Sequence, residues 1–162
     1  MKKLLIVGYG NPDRGDDGVA WHILKELLKE HNPDLDAEEL LSGDITSLDG
    51  NADTWFNLQL LPEISELLSN YEKAVFLDAH TAEIEADVNL EIIKPVYLNS
   101  PFTHHVTPST CLSLAESISG YAPESWLLSI RGYEFQFKRE LTTRTRELVS
   151  KAKKVLREEF LE

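Results

Sequence analysis

A continuous apolar segment, a glycine-rich acidic turn and an amphipathic helix follow one another at the start of the chain. Residues 4–9 are apolar throughout, as in a strand that is covered on both faces. The turn lies within residues 8–18, GYGNPDRGDDG, and residues 19–28 then place their apolar side chains at helical spacing. This order predicts the first strand and first helix of an α/β domain with a buried sheet.

The rest of the chain continues the alternation of strands and helices. Further strands are predicted at residues 39–42, 74–77, 88–96 and 126–130, helices from Pro62, from Pro108 to Gly120 and over residues 142–160, and a long loop at residues 43–57. Pro95 favours an edge position for the fourth strand. Residues 1–162 are therefore predicted to form one three-layer α/β sandwich, with a mostly parallel, twisted five-stranded sheet between helices on both faces.

Composition indicates which classes of binding partner and which cellular compartment suit the chain. A formal net charge of −12 over 162 residues disfavours nucleic acid and anionic membrane surfaces. Cys111 is the only cysteine, which excludes an intrachain disulfide and suits a reducing cytoplasm. The apolar run at residues 4–9 is too short for a signal-peptide core or a membrane span, so we expect a cytoplasmic protein.

Acidic and imidazole side chains occur where three predicted strands end. Asp16 and Asp17 follow the first strand, Asp78 closes the third, and His104 and His105 lie in the loop after the fourth. Ligands of open α/β sheets bind beyond the carboxyl ends of the strands, so these residues are expected at one edge of the sheet. Two carboxylates and one imidazole suit a divalent first-row metal ion with open coordination positions.

Gly8 and Gly10 also allow a nucleotide-binding interpretation of the first turn. A dinucleotide fingerprint requires a third glycine where this chain has Asp13, and Asp16 and Asp17 would then face the pyrophosphate. Metal binding is therefore the stronger hypothesis at this turn. For Asp16, capping of the following helix is an equally good explanation.

The remaining cysteine and histidine residues have weaker functional signals. Cys111 lies in an apolar helical stretch, where cysteine is usually inert packing. His22 and His31 are expected on the surface of the first helix. His80, two residues after Asp78, is expected either to support a metal ligand or to face solvent.

Four segments of the chain together resemble the nickel–iron hydrogenase maturation endopeptidases. They are LLIVGYGNPDRGDDGVA, VFLDAH, THHVTP followed by a helix, and SWLLSIRGYEFQFKRELT. The resemblance extends over nearly the whole chain, and its first motif is the most specific. Residues 42–60 depart from the family pattern, which retains only Gly43, Asp44 and Thr46 of a glycine–threonine turn.

The resemblance implies a hydrolase that removes the C-terminal extension of a hydrogenase large-subunit precursor after nickel insertion. It assigns contact with nickel, carried by the precursor, to Asp17, Asp78 and His105. His105 is preferred to His104 because of its spacing to the following helix. Asp17 and Asp78 are then the expected catalytic acids, with Asp16 as a supporting acid or general base.

Two other functions are compatible with these residues. A monomeric endopeptidase is the leading hypothesis, and a nickel- and precursor-binding escort that does not cleave is the first alternative. A nucleotide-binding α/β enzyme that uses Gly8 and Gly10 is the second alternative.

Overall fold

A computed structural model of the chain describes residues 1–97 and 106–161. Its strands are β1 (Lys2–Tyr9), β2 (Thr46–Ser47), β3 (Ala52–Asn57), β4 (Tyr71–His80), β5 (Val88–Ile93) and β6 (Glu124–Arg131). They form one six-stranded sheet in the order β2-β3-β1-β4-β6-β5. The four inner strands are parallel, whereas β2 and β5 pair antiparallel at the two edges. All four parallel strands therefore end at the same edge of the sheet.

Helices cover both faces of this sheet. They are α1 (Val19–His31), α2 (Ile64–Leu68), α3 (Pro108–Ser119) and α4 (Thr143–Leu156), and a π-helical turn, Arg157–Leu161, follows α4. One buried cluster joins the sheet to α1 and α4, and a second joins it to α2 and α3. The predicted three-layer α/β sandwich is confirmed, with six strands where five were expected. In the described part of the chain, no helix combines the length and apolar character of a membrane span.

The region between α1 and α2 differs most from the prediction. Residues 39–42 were expected to be a strand but lie in a 3-10 helix, Ala37–Ser42. Residues 43–57 were expected to be a loop but contain β2 and β3. β3 is buried despite its polar residues because distant side chains satisfy them. The carboxylate of Asp53 accepts hydrogen bonds from the Tyr71 hydroxyl at 2.7 Å and the Lys2 ammonium at 3.0 Å.

The third helix begins and ends as its sequence predicts. Thr107 caps its amino end in a capping box with Thr110, and Pro108 occupies the first turn, where its missing N–H costs nothing. Gly120 ends the helix in a left-handed conformation with φ 75°. Cys111 is fully buried within this helix, and burial raises the pKa of its thiol to about 12. Its thiol is protonated at neutral pH, in agreement with a packing role.

His22 was expected at the surface and is buried, with 5% of its surface exposed. Its ring packs edge-on against Trp21, and Nε2 lies 3.3 Å from the carbonyl oxygen of Arg139. Burial is the main reason that its pKa is lowered to about 4. The segment that follows β6 covers this histidine, a contact that helical periodicity does not reveal. His31 is exposed, as predicted.

Candidate active site

The turn between β1 and α1 holds Asp17 at the carboxyl edge of the sheet. Gly10 has φ 131°, and a Cβ atom at this position would lie 2.0 Å from the Asp17 carbonyl oxygen. Only glycine permits this backbone to pass so close to Asp17. The backbone amide of Asn11 donates a hydrogen bond of 2.8 Å to Asp17 Oδ2. The turn therefore orients a half-buried carboxylate and leaves Oδ1 without a hydrogen-bond donor from the described residues.

Asp78 lies near the end of β4, beside β1. The Ala79 amide donates a hydrogen bond of 2.7 Å to its Oδ1. The pKa of Asp78 is raised to about 7, mainly by burial. The negative charge of Asp17 also raises it, whereas the Ala79 amide and the Tyr9 hydroxyl lower it. Asp78 is therefore an acid that exchanges its proton near neutral pH.

A cleft of about 480 Å³ contains both carboxylates. It is lined by Tyr9, Gly10, Asp17, residues 58–62, Asp78 and Val106. A second cavity of about 690 Å³ also reaches Tyr9, Asp78 and Val106, and its other walls include the aliphatic side chains of Ile93, Val96 and Leu127. We refer to the first as the acidic cleft and to the second as the aliphatic cavity. Asp17 and Asp78, 61 positions apart in sequence, thus meet in one concave site.

Asp16 does not belong to the acidic cleft. It is fully buried, and its carboxylate accepts hydrogen bonds from the amides of Tyr133, Glu134 and Thr142 and from the Thr142 hydroxyl, at 2.8 to 3.2 Å. Burial alone would raise its pKa, but these donors outweigh burial and hold the pKa below its usual range. These hydrogen bonds favour a structural role for Asp16 over the expected role of general base, since the donors would have to be displaced before it could take a proton. Nor does Asp16 cap α1, whose N-cap is Gly18.

His80 also has a structural position. Its Nδ1 lies 2.8 Å from the Ser129 hydroxyl and its Nε2 lies 2.8 Å from the Ala86 carbonyl oxygen. The ring is buried, and burial lowers its pKa. The sequence predicted that this ring either faces solvent or supports a metal ligand. The structure shows neither solvent exposure nor contact with Asp78. His80 instead connects β4 to β6 and to the β4–β5 connection.

His104 and His105 lie outside the described residues. Val106, the next residue along the chain, lines both the acidic cleft and the aliphatic cavity. Within residues 1–97 and 106–161, no three His, Cys, Asp or Glu side chains are grouped closely enough to hold a metal ion. The described part of the site is therefore a pair of carboxylates, and Val106, which follows His105 in sequence, lines the same cleft.

Tyr9 is a site residue that sequence reasoning missed. It ends β1 beside Asp78, because Gly8 pairs with Leu77 and the next residues of both strands lie side by side. Burial and the neighbouring Asp78 carboxylate raise the pKa of its hydroxyl well above the usual range, so it remains a hydrogen-bond donor. Its signal in the sequence was its place between Gly8 and Gly10, at the end of a strand whose Leu5 and Val7 face α2 and α3.

The fold has counterparts among solved structures. A hydrogenase-maturating endopeptidase from E. coli, HybD, superposes with a TM-score of 0.66 at 17% identity, over 98% of this chain and 94% of that one. A hydrogenase 2 maturation peptidase from a Thaumarchaeota archaeon gives 0.62 at 22% identity, over 99% and 100%. The NiFe hydrogenase maturation protease HycI from Thermococcus kodakarensis gives 0.64 at 17% identity, over 97% and 91%.

The chain therefore has the fold of the hydrogenase maturation endopeptidases over nearly its whole length. No protein-family model matches the chain, and no curated protein matches it. The likeness lies in the arrangement of the sheet and helices. At 17 to 22% sequence identity it establishes the shared fold alone.

The raised pKa of Asp78 predicts a pH-dependent contribution to stability. The unfolded chain releases this proton near the ordinary value of 3.8, whereas the folded chain retains it to about 7. The folded state thus binds more protons between these values, so the Asp78 contribution to the free energy of unfolding falls as pH rises through this window. Relative to Asp78→Asn, the wild-type chain should therefore lose free energy of unfolding as the pH rises from about 4 to about 7.

Two neighbouring substitutions should move the Asp78 titration in opposite directions. Tyr9→Phe removes a donor to the carboxylate and should raise its pKa, whereas Asp17→Asn removes a negative charge and should lower it. Carboxyl ¹³C chemical shifts measured against pH report both changes directly. Shifts in the same direction for the two variants would contradict this account of the site.

Proposed function

We propose that this chain is an endopeptidase that removes the C-terminal extension of a nickel–iron hydrogenase large-subunit precursor. The observation that carries the proposal is the pair Asp17 and Asp78 in one cleft at the carboxyl edge of a sheet with the maturation-endopeptidase fold. The sequence resemblance at residues 4–20, 75–80 and 103–108 supports the same function. The reaction is proposed to take place in the cytoplasm, with the chain acting as a monomer.

Nickel enters this proposal as a part of the substrate. Asp17, Asp78 and His105 recognise the metal in the precursor, and that contact brings the scissile peptide bond to the acidic cleft. Carboxylate oxygens and a neutral imidazole are suitable ligands for a divalent first-row metal. Loading of nickel into the precursor is then the signal that permits cleavage.

The chain's own residues supply proton transfer at the scissile bond. Before the precursor binds, Asp78 has a pKa of about 7. Contact with nickel favours the charged form of Asp78, which is the form that can take a proton from an attacking water molecule. The Tyr9 hydroxyl lies beside Asp78 and favours its charged form. The nearby charge of Asp17 raises the pKa of Asp78. Asp16 has no part in this step because its oxygens hold the backbone of distant residues.

A cleavage assay tests the proposal directly. Large-subunit precursors of several hydrogenases, each with its C-terminal extension, are incubated with the purified chain after nickel loading and without nickel. We expect mass spectrometry to detect a released C-terminal peptide only with a nickel-loaded precursor. Binding without a released peptide would instead identify a non-catalytic escort, and equal cleavage with and without nickel would contradict nickel recognition.

A further inference from the structure

The segment that joins β6 to α4 is basic in a strongly acidic protein. Residues 131–146 hold five of the chain's 16 Lys and Arg residues but only two of its 28 Asp and Glu residues. The basic residues are Arg131, Lys138, Arg139, Arg144 and Arg146, and the acidic ones are Glu134 and Glu140. Cationic side chains are thus concentrated at the sheet edge where β6 ends.

Most of the charge in this segment is not used for internal ion pairs. Arg139 bonds to Asp13 at 2.8 Å and Glu38 at 2.9 Å. Among the described residues, no carboxylate lies within ion-pair distance of Arg131, Lys138 or Arg144. The Arg131 and Arg144 guanidinium groups instead both lie 4.5 Å from the centre of the Tyr133 ring.

Arg144 is placed against the electrostatic preference of its own helix. It is an exposed residue in the first turn of α4, where the helix dipole favours acidic side chains. Helix stability therefore gives no reason for a cation at this position.

Phe137 lies in the same segment and is 90% exposed. It has the largest exposed fraction among the exposed large hydrophobic side chains of the described residues. A single exposed aromatic ring is common on protein surfaces, so a role for Phe137 depends on the basic residues beside it. Aromatic side chains and arginine are the residue types most enriched in the centres of protein interfaces.

The backbone that carries Phe137 is held firmly to the β1–α1 turn. The Gly15 amide donates to the Lys138 carbonyl at 2.7 Å, and the Lys138 amide donates to the Asp13 carbonyl at 2.8 Å. Buried Asp16 accepts from the amides of Tyr133 and Thr142, which lie on either side of Phe137 in sequence. An anchored loop loses little conformational freedom on binding, so its exposed side chains are suited to a docking role.

This anchored segment is adjacent to the acidic cleft. The β1–α1 turn presents Gly10 and Asp17 to the cleft and attaches the basic segment through Gly15 and Asp16. The acidic cleft and the basic segment therefore share one turn, which places both features within reach of a single folded protein.

We propose that Phe137, Lys138, Tyr133, Arg131 and Arg144 form a docking surface for the protein substrate. This surface takes an acidic patch that borders an apolar hollow on the folded precursor, away from the scissile bond. Phe137 fills the hollow, and the cations attract the acidic patch during encounter. The identity of the partner rests on the proposed function, whereas the chemistry of the partner follows from the charge and exposure of the surface.

Binding measurements on nickel-free precursor, which the proposed function expects the chain not to cleave, test the proposal with the wild-type chain as the background. Phe137→Ser should raise the dissociation constant about tenfold or more, as expected for an aromatic residue at an interface centre. Lys138→Glu combined with Arg144→Glu should slow association about tenfold and reduce its dependence on ionic strength. Glutamate at position 144 also suits the helix dipole, so weaker binding would not reflect an unfolded helix.

Matched control variants separate the surface from general effects of charge and hydrophobicity. Ile118→Ser removes a side chain that is 63% exposed near the far end of α3. Lys29→Glu combined with Lys151→Glu gives the same total charge as the double variant above, through exposed residues of α1 and α4. Both controls should bind the precursor like the background chain.

The outcomes distinguish the docking surface from the proposed function. Unchanged binding by Phe137→Ser and the basic double variant would overturn the docking surface, as would the absence of any binding of the precursor. Weakened binding by these variants, together with no cleavage by the wild-type chain, would support the docking surface while contradicting the proposed peptidase activity.

Discussion

Asp78→Asn is expected to lower the rate of precursor cleavage by about 10²–10⁴-fold, the range that loss of a general acid or base produces. Asparagine preserves the size of the side chain but cannot take a proton at neutral pH. It also removes an anionic oxygen from the acidic cleft, where nickel recognition is proposed. Single-turnover cleavage with nickel-loaded precursor measures the rate without interference from product release.

The same substitution should leave the fold intact. Burial disfavours the charged Asp78 carboxylate, so a neutral amide at this position relieves a cost instead of adding one. Asp34→Asn, at an exposed position after α1, is the matched control and should cleave at the wild-type rate. A folded Asp78→Asn chain with wild-type activity would refute the catalytic assignment.

A double variant tests whether the two carboxylates act together. If Asp17 and Asp78 serve one metal-directed step, the combination of Asp17→Asn and Asp78→Asn should be little slower than the worse single variant. Effects that multiply would indicate that the two acids act in separate steps.

Asp16→Asn is expected to reduce the free energy of unfolding by about 3 kcal/mol, the cost of losing charge-assisted hydrogen bonds and leaving buried donors unsatisfied. Both Asp16 oxygens accept hydrogen bonds from N–H or O–H groups. An amide at this position must direct its own N–H₂ group at one of those donors, whichever way it is turned. Denaturant titration of the variant against Asp34→Asn measures the loss.

Loss of the Asp16 hydrogen bonds should also release the backbone that follows β6. Limited trypsin digestion is then expected to cut after Lys138 or Arg139 in Asp16→Asn, and much more slowly in the wild-type chain. If Asp16 were instead a general base, the variant would keep wild-type stability and protease resistance while losing cleavage activity. The two accounts of this residue therefore predict opposite combinations of results.

Local sequence patterns accounted for the elements that depend on near neighbours. The apolar run of β1, the helical spacing of α1 and the Thr107–Gly120 boundaries of α3 are all patterns within a few residues. The rule that parallel strands end at one edge was sufficient to expect Asp17 and Asp78 in the same place. The structure brings them to one cleft, and their chemical roles remain a proposal.

Contacts between distant residues account for what the sequence did not predict. β3 forms by pairing with β1, and Lys2 and Tyr71 allow its Asp53 carboxylate to be buried; both lie far from it in sequence. Tyr9 was overlooked because nothing in its own segment shows that Asp78 lies beside it. His22 is buried because the segment after β6 folds over α1.

The chain's sequence by itself determined the α/β sandwich, the strand-to-helix turn with its two adjacent acids, and the two carboxylates at strand ends. The family resemblance favoured Asp17 over Asp16, but only the tertiary structure shows that Asp17 lines the cleft and that Asp16 is bonded elsewhere. Asp16 and Asp17 are identical in chemistry and neighbours in sequence, so local patterns cannot distinguish them. Tyr133 and Thr142, more than a hundred residues away in the chain, bind Asp16 and leave Asp17 for the site.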